Sequence, residues 1–128
     1  MAITELPIFS MLKNRMHWHQ ERQRVLSENV ANADTPRFRP NDLVPVDAKG
    51  AQPANVALTR TDAGHIGGLP GGTTFANRRG GYEIRPAGNA VNLEDEMMKV
   101  AANQMDYQAA TTLYAKSVGL LKTAIGRR

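Results

Sequence analysis

The chain has 128 residues, enough for one domain, and no cysteine, which excludes disulfides, thiolate catalysis and cysteine-based zinc sites. Its formal net charge of +4 comes from Lys and Arg spread along the chain, with no basic run longer than Arg78-Arg79 or Arg127-Arg128, so the concentrated basic stripe of a nucleic-acid binder is missing. Aromatic residues make up only 5%, too little large apolar surface to anchor a compact core, and this points to helices that need partners.

The first predicted element is a helix from about Ile8 to Ala33. Its apolar stripe runs through Phe9, Leu12, Met16, Leu26, Val30 and Ala33, and with His19 and Gln23 the spacing alternates between three and four residues without a break. Lys13, Arg15, Glu21, Arg22, Arg24 and Glu28 occupy the other faces. Pro7 suits the first turn. Asn32, Asp34, Thr35 and Pro36 form the stop, because proline disfavours helix at the residue before it.

The second segment, residues 37–90, holds most of the prolines and all but two of the eleven glycines. The run Gly64-His65-Ile66-Gly67-Gly68-Leu69-Pro70-Gly71-Gly72 cannot form a stable helix or strand interior. A largely irregular segment is expected, with short extended pieces near Asn55 to Arg60 and Tyr82 to Arg85.

The third element is a helix from about Asn92 to Ile125. Asn92 is a good N-cap, and Glu94, Asp95 and Glu96 follow in the first turn, where the helix dipole favours anions. Lys116 and Lys122 lie toward its end. The stripe reads Leu93, Met97, Val100, Gln104, Tyr107, Thr111, Tyr114, Val118, Leu121, Ile125, the most regular pattern in the chain. A seam of this period wants to face another helix, and its polar entries can fix register. The expected fold is therefore mainly α. Heptad-patterned terminal helices, within units 1–36 and 91–128, join in a coiled coil or bundle across a flexible middle, 37–90.

Nothing in the sequence points to catalysis. His17 and His19 diverge on a helix and cannot share a metal, and His65 stands alone in the Gly-rich run. The acidic cluster at Glu94 reads as helix-end charge. The Gly-rich run lacks a Walker ending, and Ser10, Ser27 and Ser117 lack a nucleophile signature. His17-Trp18-His19 among arginines reads as a charged helix surface, since one tryptophan offers little stacking area. No catalytic, metal or cofactor-binding residue is expected, and neither a nucleic acid nor a small-molecule substrate. No apolar stretch reaches the ~20 residues of a membrane span, and no cleavable secretory signal is visible at the start.

Residues Leu26-Ser27-Glu28-Asn29-Val30-Ala31-Asn32-Ala33-Asp34-Thr35-Pro36 resemble the asparagine-rich motif near the N-terminus of flagellar rod and hook proteins, which reads roughly N-[IV]-A-N-x-x-T-P-G-[YF]. Asn29, Val30, Ala31, Asn32, Thr35, Pro36 and Phe38 match it, while Arg37 stands where glycine is usual. The Ala33-Asp34 pair favours the proximal rod proteins within that group. Val91 to Met97, Asn103-Gln104, Tyr107-Gln108 and Leu120 to Ile125 resemble the closing helix of the same family, and Thr61 to Ile66 resembles a weak T-x-x-x-H-I element. The resemblance implies a structural subunit of the basal-body rod, exported unfolded by the flagellar type III apparatus. Its partners would be other copies of itself, other rod proteins, the rod-base adaptor, and the membrane-ring and export-gate proteins. The assembly interface would use both stripes together with Asn29 and Asn32, whose amides can cap helix ends or bridge neighbours. The competing reading is a cytoplasmic coiled-coil adaptor or export chaperone.

Overall fold

The computed structural model describes residues 7–46, 62, 64, 75–81 and 83–126. It is mainly helical, with α1 (Pro7–Ala31), β1 (Asn41–Leu43), β2 (Asn77–Arg79) and α2 (Leu93–Ala124) in that order. The expected stretch near Asn55 to Arg60 lies outside the described residues. Residues 83–85 form no strand, and the extended pairing falls instead on β1 and β2.

Both helices end where their sequences provide hydrogen bonds for the orphan backbone groups. Beyond Ala31 the chain tightens: Ala33 N donates to Val30 O, and Thr35 N to Asn32 O. The Asn32 side-chain amide donates to Glu28 O at 2.8 Å, and its carbonyl accepts from the Thr35 hydroxyl at 3.1 Å. α2 begins on Asn92, whose Oδ1 accepts from the backbone N–H of Glu94 and Asp95. It ends at Gly126, which takes the left-handed conformation (φ 74°) usual just past a helix C-terminus.

The two helices run antiparallel. Phe9 meets Tyr114, His19 meets Asn103, and Asn29 meets Glu96, so contacts climb one helix as they descend the other. Phe9, Leu12, His19 and Leu26 of the α1 stripe are buried, and Met16, Gln23 and Val30 half-buried.

A second row on α1, formed by Trp18, Arg22, Val25 and Asn29, faces the ribbon. Trp18 Nε1 donates to Val44 O at 2.9 Å, Arg22 holds Asp42 through two 2.9 Å bonds, and Asn29 bonds the Asn41 backbone. The ribbon is antiparallel, pairing Asn41 with Arg79 and Leu43 with Asn77. Leu43 and Phe75 close over Trp18 and Val25 to make the small apolar core. The strands therefore form where they can cover the flank of α1 that α2 leaves open.

The turn after α1 is tied to the segment before α2. Asn89 Nδ2 donates to Asn32 O at 2.9 Å and to Thr35 O at 2.6 Å, while its Oδ1 accepts from Val91 N. Arg37 N donates to Ala87 O, and Ala90 N to Phe38 O. Arg37 itself has φ 60°, so an arginine occupies the left-handed region where glycine would be free of Cβ strain. Gly88, also at positive φ, packs on it, since an added Cβ there would lie 3.3 Å from Arg37 Cγ.

Candidate assembly interface

The contact between α1 and α2 is unusually polar at its centre. Asn103 Nδ2 donates to His19 O at 2.9 Å and to Gln23 Oε1 at 3.1 Å. With its amide nitrogen so committed, Asn103 Oδ1 is the acceptor facing His19 Nδ1 at 2.8 Å, which fixes that ring nitrogen as the one carrying hydrogen. His19 Nε2 is buried with no hydrogen-bond partner. One turn away, Gln20 Nε2 donates to the Tyr107 hydroxyl at 3.1 Å. At the open end of the hairpin, the Phe9 and Tyr114 rings meet edge to face at 5.5 Å.

At the closed end, Glu96 is only 2% exposed. A buried carboxylate needs partners, and Asn29 Nδ2 and Lys99 Nζ supply them at 2.8 and 2.6 Å. The same Asn29 amide donates to Asn41 O at 2.7 Å, while its carbonyl accepts from Asn41 N at 3.0 Å. Asn29 thus ties α1, β1 and α2 together in a single side chain.

Arg22 and Asp42 form an ion pair in which both side chains are about four-fifths buried. Burial pushes the Asp42 carboxyl up, but the hydrogen bonds and charge of Arg22, with the Leu43 N–H and the more distant Lys99, outweigh it and hold it below the usual carboxylate range. The hydrogen bond to Asp42 likewise raises Arg22. Arg22 also stacks over Trp18, its guanidinium carbon 5.3 Å from the ring centre.

The residues of the α2 stripe divide. Val100, Tyr107, Thr111, Tyr114, Val118 and Leu121 are half-buried, with Tyr107 and Tyr114 in contact with α1, whereas Leu93, Met97, Gln104 and Ile125 are exposed. A seven-residue repeat drifts about 20° per heptad around a straight helix, so a stripe that faces α1 near Tyr114 has turned to solvent by Met97. The positions α2 buries deepest are Glu96, Asn103 and Ala110. Two of these are polar, which hid them from an apolar pattern. Glu96 read only as helix-end charge, and Asn89 lay in a segment without periodicity. For Asn103, the one signal is the Asn103-Gln104 pair that resembles the closing helix of the family, and it gives Asn103 no role of its own.

Among the described residues, no group of three His, Cys, Asp or Glu side chains converges as a metal site, and no helix is long and apolar enough to cross a membrane. The arrangement offers two packed helices, a clamped asparagine-rich turn and exposed apolar helix faces.

A family model described as "Flagella basal body rod protein" matches residues 13–39, which span most of α1 and the clamped turn. That is the class of protein to which this part of the chain is similar. Curated relatives narrow the assignment. The chain is 30% identical to the flagellar basal body rod protein FlgB of Proteus mirabilis over 84% of its own length and 90% of the relative's. It is 28% identical to the protein of the same name from Agrobacterium fabrum, over 88% and 87% of the two chains. It aligns across its full length with that from Aeromonas hydrophila, again at 28%. The chain belongs to the FlgB family of flagellar basal body rod proteins.

Proposed function

We propose that this chain is a non-enzymatic structural subunit of the proximal rod, polymerising through its two terminal helices into the shaft that carries torque across the periplasm. The observation that carries this reading is the placement of apolar side chains. Among the described residues, exposed large apolar side chains outnumber buried ones, and most of the exposed ones lie on α2, including Met97, Met98, Met105, Leu113 and Leu120. A monomer gains nothing from this surface. An assembly that covers it gains about 25 cal/mol per Å² of apolar area removed from water, less the ordering cost. In this reading the assembly surface is the part of the stripes that the hairpin leaves uncovered, including Leu93, Met97, Gln104 and Ile125, while Phe9, Leu12, Leu26 and Asn29 are buried within the chain and hold the hairpin that presents it. Neighbouring copies, other rod proteins, the rod-base adaptor and the membrane-ring and export-gate proteins are its partners, and export follows the flagellar type III route.

Deletion of the gene in its bacterium, followed by imaging of the basal bodies, tests the reading. The expected result is loss of the rod with the membrane ring retained, restored by the full-length chain. Intact rods and normal swimming in the deletion strain would sink it and favour a cytoplasmic adaptor or export chaperone.

A further inference from the structure

The side of α2 turned away from α1 carries a second row of apolar residues, distinct from the stripe. Met98, Met105, Leu113 and Leu120 are 64%, 67%, 53% and 73% exposed. Alanines 102 and 109 lie between them. Between Met105 and Leu113, over Ala109, the surface forms a shallow groove of about 510 Å³. Large side chains alternating with small ones at heptad spacing are what knobs-into-holes packing uses.

The row has an internal symmetry. Met98 and Met105 are seven residues apart, and so are Leu113 and Leu120, with an eight-residue step between the two pairs. One shift of 15 residues, roughly 22 Å along the axis at ~1.5 Å per residue, therefore lays Met98 beside Leu113 and Met105 beside Leu120 of a second copy. The charges obey the same division. Glu94, Asp95 and Asp106 are exposed in the first half of α2, where the lone lysine, Lys99, is bonded to Glu96. The second half has no acidic residue and exposes Lys116 and Lys122. At the 15-residue shift Asp106 comes level with Leu121 and Lys122 of the neighbour.

We propose that the outer face of α2 is the contact between neighbouring copies of this chain, the helices parallel and staggered so that the acidic half of one lies on the basic half of the next. An antiparallel arrangement also matches the spacing, but it consumes both halves in one closed pair. The staggered contact is heterologous and open, and each copy keeps a free half for the next. This packing rests on the rod reading, which requires growth beyond a dimer.

The absence of cysteine makes the test clean. Full-length chains carrying Met105→Cys, Leu113→Cys or Leu120→Cys are mixed in pairs, purified at high concentration and also expressed together in the deletion strain, then mildly oxidised. These positions are exposed, and unchanged circular dichroism verifies the fold. Staggered packing gives a several-fold higher yield for Met105→Cys with Leu120→Cys than with Leu113→Cys. Asp106→Lys in the first chain lowers that yield, and Lys122→Glu in the second restores it. A dominant Met105→Cys with Leu113→Cys product that stops at dimer overturns the staggered arrangement in favour of the antiparallel one. No cross-link in either pair, while the chains still support swimming, overturns this face as the contact and leaves the rod reading standing. That last result assigns the face to another rod protein or to another segment of the chain itself.

Discussion

Asn29 satisfies three structural elements with one amide, and so it is the residue whose loss is least replaceable. Asn29→Ala leaves the Asn41 N–H and one oxygen of the buried Glu96 carboxylate without their partners. Unsatisfied buried groups cost ~1–3 kcal/mol each, so a total loss of about 2–4 kcal/mol in chemical denaturation is expected. Asn29→Asp should lose at least as much at neutral pH, because it sets a second carboxylate against Glu96. A variant within about 0.5 kcal/mol of the parent would show the junction to be dispensable. Arg37 predicts the opposite sign. Left-handed backbone costs an L-residue ~1–2 kcal/mol, and glycine returns part of that gain as unfolded-state entropy. Arg37→Gly should therefore stabilise the chain by roughly 0.5–1 kcal/mol while Arg37→Ala does not, as a comparison of melting temperatures would reveal. The motif residues Asn29 and Asn32 were legible in the sequence because they stand in a recognisable run. The partner roles of Asn89 and Glu96 were not. Apolar periodicity cannot register a buried amide or carboxylate, whose place is set by a partner tens of residues away.

At the scale of elements, the long helices were legible from spacing and caps, and their boundaries shifted by only a residue or two because turn hydrogen bonds replaced helical ones after Ala31. The ribbon was not legible. Three-residue strands carry no alternation, and β1 and β2 are fixed by what Trp18, Arg22 and Val25 leave uncovered on α1. This docking has a pH signature. The folded Asp42 carboxyl titrates below its unfolded value of about 4, so the Arg22–Asp42 contribution is complete above that pH and is lost as the pH falls through the lower, folded value. Asp42→Asn should cost about 1–3 kcal/mol at neutral pH. Its stability should also decline less steeply than the parent's as the pH falls below about 4. Parallel acid titrations by circular dichroism would test this, and identical slopes would remove the pair as the source of acid sensitivity.

At the scale of the whole molecule, two kinds of surface have been separated. Inside the hairpin, amides, a histidine and a carboxylate fix one register between α1 and α2, the use of buried polar groups that specifies alignment at some expense of stability. Outside, methionine, leucine and alanine present an apolar face that specifies little until a neighbour arrives. A chain built this way is marginal alone and firm in company, because a partner that binds only the folded form stabilises it by mass action. Each tenfold rise in concentration above the self-dissociation constant should add ~1.4 kcal/mol. For a chain of this size that is roughly 3–6 °C in Tm. Met105→Glu places a charge at the centre of the outer face, at a position two-thirds exposed in the monomer. It should leave the dilute melting temperature within about 1–2 °C of the parent, as expected for an exposed substitution, and flatten the dependence on concentration. Scanning calorimetry over two decades of concentration would separate the cases. A parent whose Tm does not move, or a variant that moves with it, would mean that the apolar face is not where the chain finds its stability.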